Sequence, residues 1–308
     1  MTETKYGKYV KKLTFSDDGP GFFRQGTKMS SEFLGLPVNI EYGTYWSAGR
    51  IGKEPYGAHT HDFNQVLFWL GGDTNDMGEL GAEVELCLGE EMEKQMITTT
   101  TAIFIPPGLP HLPATITRMN KRCMLMVVSC AAEYKATPVA SDRAPSDYLG
   151  MRSKYRENVS RVPFARKGAW SYGPLNPDDS GGSLAFISSN QFDFLIMCES
   201  IKKAPYRFGP IPDEPHAHNQ PEILIFMGAD TNDLSELGGE VEIALGEEKE
   251  MHIFNTPTAV IVPGELPHCP LTILKVDKPF ILSDVRPFGR GYETAGAMGV
   301  TPQAGTGT

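Results

Sequence analysis

The chain has 308 residues and a formal charge of -10, with 38 acidic against 28 basic side chains. That balance argues against a nucleic-acid partner or an anionic membrane surface, and the length suffices for two ordinary domains, each with its own core. No apolar run approaches the roughly eighteen residues that span a bilayer. The opening MTETKYGKYVKK lacks the apolar centre of a secretion signal, and five cysteines without a Cys-x-x-Cys pair fit reduced, mostly buried thiols. The expectation is a cytoplasmic globular protein.

The first landmark in chain order is His59-Thr60-His61-Asp62-Phe63-Asn64-Gln65, followed by Gly71-Gly72-Asp73-Thr74-Asn75-Asp76, Glu83-Val84-Glu85, Leu88-Gly89-Glu90-Glu91 and finally His111. From His216 the pattern starts again, 157 positions further on. His59, His61 and His111 become His216, His218 and His268, and about half of all positions between the outer histidines are identical without a gap. Repeats of this length are whole domains, because solenoid units run only about 20–50 residues. The expected division is a first domain over 1–140, a connection over 141–180 lying outside the repeat, and a second domain over 181–308. A short helix is expected near Tyr148 to Val159, and a mobile end is expected after Arg286.

Within each copy the pattern reads as strand. Val241, Ile243 and Leu245 alternate with Glu242 and Ala244, and the Leu245-Gly246-Glu247-Glu248 that follows is a hairpin turn returning through Met251, Ile253 and Phe254. Thr258 to Val262 is a short apolar run closed by Pro263-Gly264. Asp230 to Asp233 offers capping oxygens to a short helical turn that Gly238 would end. Many short strands punctuated by Gly and Pro predict an all-β chain of two jelly-roll barrels. The acidic Glu240, Glu242, Glu247, Glu248 and Glu250 fit a solvated strand face and hairpin tip. The Asp-Thr-Asn-Asp loop lacks the spacing of a calcium-binding EF-hand.

Residues separated by an even number share one face of a strand, so His216, His218 and Glu222 point the same way, with His268 arriving from a later strand. Three neutral imidazoles and one carboxylate suit Mn, Fe, Co, Ni or Zn better than Ca or Mg. A lone buried histidine is more often a core residue, and His252, whose counterpart is Gln95, is read that way. In the first copy Gln65 stands where the second has Glu222. An amide oxygen can ligate but carries no charge, so His59, His61, Gln65 and His111 form a candidate second site of weaker affinity. Trp69 and Phe226 share the ligands' parity as candidate walls. Tyr206, Arg207 and Gln220 lie near the second motif, where an arginine would clamp a carboxylate or enolate. Arg286, past a predicted strand end, is no better supported.

With these residues in view, the chain resembles a bicupin, a cupin-superfamily protein with two fused barrels. Gly209, His216, His218, Glu222 and Gly228 approximate the family's first motif, and Pro106, Gly108 and His111 meet its second, Pro-x-Gly-x-x-His. In the second half that motif departs at Glu265, which occupies the usual glycine position. The resemblance covers roughly 35–130 and 190–290. It implies that His216, His218, Glu222 and His268 bind metal inside the second barrel and that the first barrel holds a parallel set. Some cupins use a glutamine ligand, so Gln65 is compatible with a working site.

These features imply one divalent transition metal per chain or two, with Mn or Fe favoured over Ni, Co or Zn, and a small oxygenated substrate such as an enol, phenol or keto acid. Carbon–carbon cleavage by a dioxygenase leads. A non-oxidative decarboxylase, hydrolase or isomerase is the alternative, and a non-enzymatic ligand-binding or storage cupin is the alternative of another class. A homo-oligomer is compatible with the family.

Overall fold

The computed structural model describes residues 4–17, 23–51, 57–139, 145–166, 180–208 and 215–289. Gly209 of the first motif and the end of the tail lie outside them. The described chain is almost entirely antiparallel strand, arranged as two tandem double-sheet barrels of the cupin jelly-roll type. The first barrel joins a seven-stranded sheet to a six-stranded one, and the second joins a seven-stranded sheet to a four-stranded one. Among the described residues no helix is long and apolar enough to cross a membrane.

The two seven-stranded sheets explain why their central strands read as unbroken apolar runs. Gln65–Gly71 and Glu222–Gly228 are buried at every position. Leu67 and Trp69 face the interior of the first barrel, while Val66, Phe68 and Leu70 face outward into a second core. Leu224 and Phe226 line the second barrel, and Ile223, Ile225 and Met227 meet the outward residues of the first sheet in that shared core. The period of two is therefore present but masked, because both faces are dry. Parity then fixes Gln65 and Glu222 as inward residues.

The strands are shared across the boundaries expected from sequence. Val10–Lys12 pairs with Thr258–Val262 in the second barrel, Val10 opposite Val260. Val159–Arg161 pairs with Thr101–Ile105 in the first barrel, Val159 opposite Ile103. The two arms are themselves copies: Lys5-Tyr6 precedes Val10 as Lys154-Tyr155 precedes Val159. Each tyrosine lies over a hairpin glycine of the barrel it clamps, Tyr6 on Gly246 and Tyr155 on Gly89. Both glycines hold φ of +77°, and a β-carbon there would strike the ring. Tyr6 donates to Glu248 at 2.9 Å and Tyr155 to Glu91 at 2.8 Å, while Lys5 and Lys154 pair with the same carboxylates. The segment expected to be a helix near Tyr148 is instead two short 3-10 turns, Gly150–Arg152 and Arg156–Asn158, that deliver this arm.

The Asp-Thr-Asn-Asp loops join the barrels rather than cap helices. Asp73 and Asp230 each accept from the backbone N–H two residues on, at 2.9 Å, so the side chain closes the turn in place of a helix. Trp46 Nε1 donates to the Thr231 carbonyl at 2.9 Å, with the Arg122 guanidinium 3.9 Å from its ring centroid. Reciprocally, Lys202 Nζ reaches Asn75 at 3.0 Å.

All five cysteines are free thiols. Burial pushes Cys123, Cys130 and Cys198 up to about 12 and raises Cys87 and Cys269 as well. The reactive thiolate is therefore scarce at neutral pH. Iodoacetamide at pH 8 is expected to label the denatured chain at all five positions and leave the folded protein essentially unlabelled by mass spectrometry. Rapid labelling of the native protein would contradict this burial.

Candidate metal centre

The second barrel's set assembles as strand parity requires. His216 bridges to His268 across the barrel mouth through reciprocal backbone hydrogen bonds of 2.9 and 3.0 Å. Glu222 begins the central strand Glu222–Gly228. The rings of His216 and His268 lie 4.3 Å apart, those of His216 and His218 4.9 Å, and those of His218 and His268 5.1 Å. One nitrogen from each imidazole falls within 4.8 Å of the others. Glu222 Oε1 is 2.8 Å from His268 Nε2, and Oε2 is 3.3 Å from His218 Nε2.

The Pro-Gly loops orient these donors. His268 Nδ1 donates to the Leu266 carbonyl at 3.1 Å, and His111 Nδ1 donates to Leu109 at 3.0 Å. Each bond fixes its ring with Nε2 turned toward the ligand point, as the hydrogen-bonded carbonyls behind metal-binding histidines do; at His111 that nitrogen is left unpartnered, while at His268 it faces Glu222. The backbone N–H of Glu265 donates to the His218 carbonyl at 2.7 Å, as Gly108 does to His61 at 2.8 Å. This close return demands a left-handed residue: φ is +78° at Gly108 and +69° at Glu265. The glycine of the motif thus has a conformational cause, and Glu265 adopts that geometry with a side chain present.

Electrostatics favour the ligating forms of His216, His111, His59, His61 and Glu222, and oppose that of His268. Burial, aided by His268 and His218, lowers His216 to about 3, and burial aided by His59 does the same for His111. His59 and His61 are also lowered, chiefly by burial. These imidazoles are therefore neutral near pH 7. Burial opposes ionisation of Glu222, but His268 and Arg286 outweigh it and hold the carboxyl well below the usual range. Burial likewise works against a charged His268, and the Glu222 carboxylate raises it.

The first barrel's set is looser. His59 and His111 are 4.3 Å apart and His61 and His111 4.9 Å, but His59 and His61 are separated by 6.3 Å. His61 stacks on Phe63 at 4.1 Å, and the Tyr134 hydroxyl lies 3.1 Å from His59 Nε2. Gln65 Nε2 donates to Ser129 Oγ at 3.0 Å. Among the described residues, both ring nitrogens of His61 and Nε2 of His111 are buried without a hydrogen-bond partner. Buried nitrogen bases of that kind fit an electrophile such as a divalent ion.

The remaining candidates divide by parity. Tyr206 is buried in the second barrel, and its hydroxyl donates to the Glu199 carboxylate at 3.1 and 3.2 Å. Phe226 lines the same interior against Phe254, and Trp69 stacks on Tyr45 in the first barrel. Arg207 alternates with Tyr206 and is exposed, and Gln220 is exposed at the turn before Glu222, so neither is brought to the ligand cluster. His252 stays outside it, with Nε2 2.9 Å from Glu250. Arg286 is where sequence reasoning fell short: it is buried, with Nη2 2.6 Å from Glu222 Oε2 and 3.1 Å from His218 Nε2. Asp284, two residues earlier on the same face, lies 3.1 Å from that guanidinium. Burial raises Asp284 to about 6 against the opposing pull of Arg286.

No protein-family model matches the sequence, and a search of curated proteins gives no match. Solved structures do match in fold. The oxalate decarboxylase of Lactobacillus farciminis in complex with formate superposes with a TM-score of 0.59 at 9% identity, covering 96% of this chain and 89% of that one. A structure of the Bacillus subtilis oxalate decarboxylase, described for its Mn(II) centres, gives a TM-score of 0.57 at 8% identity, covering 93% and 78%. At such identity the likeness establishes the two-barrel cupin fold.

Replacing Glu265 by glycine is expected to raise stability by about 0.5–1 kcal/mol in urea denaturation, because a left-handed side-chain residue costs about 1–2 kcal/mol and glycine's extra unfolded entropy returns part of it. A clear loss of stability would show that the Glu265 side chain makes contacts outweighing the strain.

Proposed function

We propose that this chain is a divalent-metal-dependent cupin enzyme whose second barrel carries the reaction, acting on a small carboxylic or keto acid by non-oxidative carbon–carbon cleavage, with decarboxylation favoured. The observation that carries the reading is the convergence of His216, His218 and His268 on the Glu222 carboxylate inside a dry barrel. His216, His218, His268 and Glu222 would hold the ion, and when bound it supplies Lewis acidity toward a carboxylate or enolate oxygen. Manganese is the favoured ion, since the fold is shared with an enzyme whose Mn(II) centres are described. The same kinship favours decarboxylation over the dioxygenase that the sequence alone put first.

The chain's own residues supply the rest. The Nδ1–H bond to Leu266 holds the His268 ring in place. Leu224, Phe226, Val241, Ile243 and Leu271 keep the interior dry, which strengthens charge interactions within it. Arg286 places a cation beside the ligand point, where an anionic substrate would meet it. The Tyr206 hydroxyl donates to the Glu199 carboxylate and so orients it within the same interior. The first barrel, with three histidines and the neutral Gln65, is proposed as a second, weaker metal site. The substrate is a small molecule, and assembly into a homo-oligomer is compatible with the fold.

The test combines metal content with an air-free assay. His218→Ala is expected to lose the ion of the second barrel and at least ~100-fold of the turnover, in line with the loss seen when a metal-site ligand or its support is removed. His61→Ala should lose at most the weaker ion. Turnover of small keto and dicarboxylic acids, followed as released CO2, should persist without O2. Turnover that stops in air-free buffer would restore the dioxygenase reading, and unchanged metal content in His218→Ala would end the metal reading.

A further inference from the structure

The two barrels align residue by residue, and at the ligand strand they differ in a coupled pair. Gln65 corresponds to Glu222, and Ser129 corresponds to Arg286 at the same interval. In each barrel the two members sit side by side on neighbouring antiparallel strands. Gln65 is the direct cross-strand partner of Ser129. Glu222 and Arg286 occupy the same register, adjoining the Ile223–Val285 pair. The first barrel closes this position with a neutral hydrogen bond, Gln65 Nε2 to Ser129 Oγ at 3.0 Å. The second closes it with a charge pair, Arg286 Nη2 to Glu222 Oε2 at 2.6 Å, both residues almost wholly buried.

A buried carboxylate cannot stay ionised without a counter-charge. Glutamine has no such need, and its neighbour is accordingly an uncharged serine. Position 286 therefore answers to position 222. The guanidinium also lies 3.1 Å from His218 Nε2 and is tethered by Asp284, so it is adjacent to the ligand point rather than remote from it.

We propose that Arg286 is a positioning residue that supplies to Glu222 the positive charge a metal ion would otherwise provide, holding the carboxylate aimed at the ligand point and weakening the hold on the ion by charge repulsion. Among the described residues, the corresponding position of the first barrel, with Gln65 and Ser129, carries no such buried cation. The inference rests on reading the second-barrel cluster as a metal centre. It also explains why a barrel that could have been copied unchanged has altered two positions together.

The test is a double-variant cycle in the full-length protein: Arg286→Ser, Glu222→Gln and the two combined, with Arg286→Lys as the charge-retaining control. Thermal midpoints are measured in chelator. Mn2+ affinity of Arg286→Ser is measured by competition with a metal-binding dye, in a His59→Ala/His61→Ala background that silences the first barrel. In chelator each single variant should lower the midpoint by about 5 °C or more, whereas the combined variant, which rebuilds the first barrel's neutral pair, should return most of that loss. Arg286→Lys should lose less than Arg286→Ser. Mn2+ should bind Arg286→Ser at least tenfold more tightly than the parent. If Arg286→Ser does not fold, the combined variant and Arg286→Lys still decide the question. Additive losses in the combined variant would overturn the charge pairing, and unchanged or weaker Mn2+ binding in Arg286→Ser would overturn the repulsion. If the parent binds no Mn2+ at all, the metal reading itself fails, and the affinity half falls with it. The chelator cycle would still judge the charge pair separately.

Discussion

Each seven-stranded sheet is wedged between two dry cores, and this double burial governs the rest of the molecule. A strand such as Glu222–Gly228 must satisfy the barrel interior with one parity and the joint between the barrels with the other. A one-residue slip would exchange the two sets, driving Glu222 into the apolar joint and Ile223 into the ligand cluster. Such a slip would place an ionised carboxylate among Val66, Phe68 and Ile225, with no counter-charge. The register that builds the core is thus the register that aims the site.

The joint between barrels is secured at three levels. The shared core is apolar, the Asp-Thr-Asn-Asp turns reach across to Trp46 and Lys202, and the second barrel takes the strand Val10–Lys12 from the far side of the first. The arm containing Val159 follows the first barrel in sequence, so that barrel's strands run together from Ser16 to Arg161, whereas the second barrel is completed by Val10–Lys12 from ahead of the first. The clamps at Tyr6 and Tyr155 repeat the same contacts on both sides, so the duplication extends beyond the histidine segments.

Much of this was legible in the sequence because it depends on local spacing. The paired histidines, the parity of Glu222, the hairpin at Leu245–Glu250 and the inward Phe226 all follow from a period of two. What escaped depends on pairing between distant strands. The Lys-Tyr arms are too short and too diverged to stand out beside the histidine repeat, so their segment read as a connection outside it. Arg286 looked like a residue beyond a strand end, yet it is the last position of Phe280–Arg286, opposite Glu222. Comparing positions 129 and 286 across the repeat would have exposed it, since Gln65 and Ser129 change together with their counterparts. Arg207 lies away from the cluster for a simpler reason: it is near the motif in sequence, but parity turns Tyr206 inward and Arg207 outward.

At the ligand strand the second barrel carries a charged pair where the first carries a neutral one. Glu222, Arg286, Asp284 and Glu199 bring ionisable groups into an interior whose counterpart relies on Gln65 and Ser129. Keeping such groups buried demands mutual compensation, and Glu222, Arg286 and Asp284 gather beside the point where the His216, His218 and His268 nitrogens meet. Anomalous diffraction from crystals soaked in Mn2+, recorded at the manganese edge, tests this most directly. The account predicts a peak within bonding distance of the imidazoles of His216, His218 and His268 and of the Glu222 carboxylate. A peak elsewhere, with that cluster left empty, would contradict it.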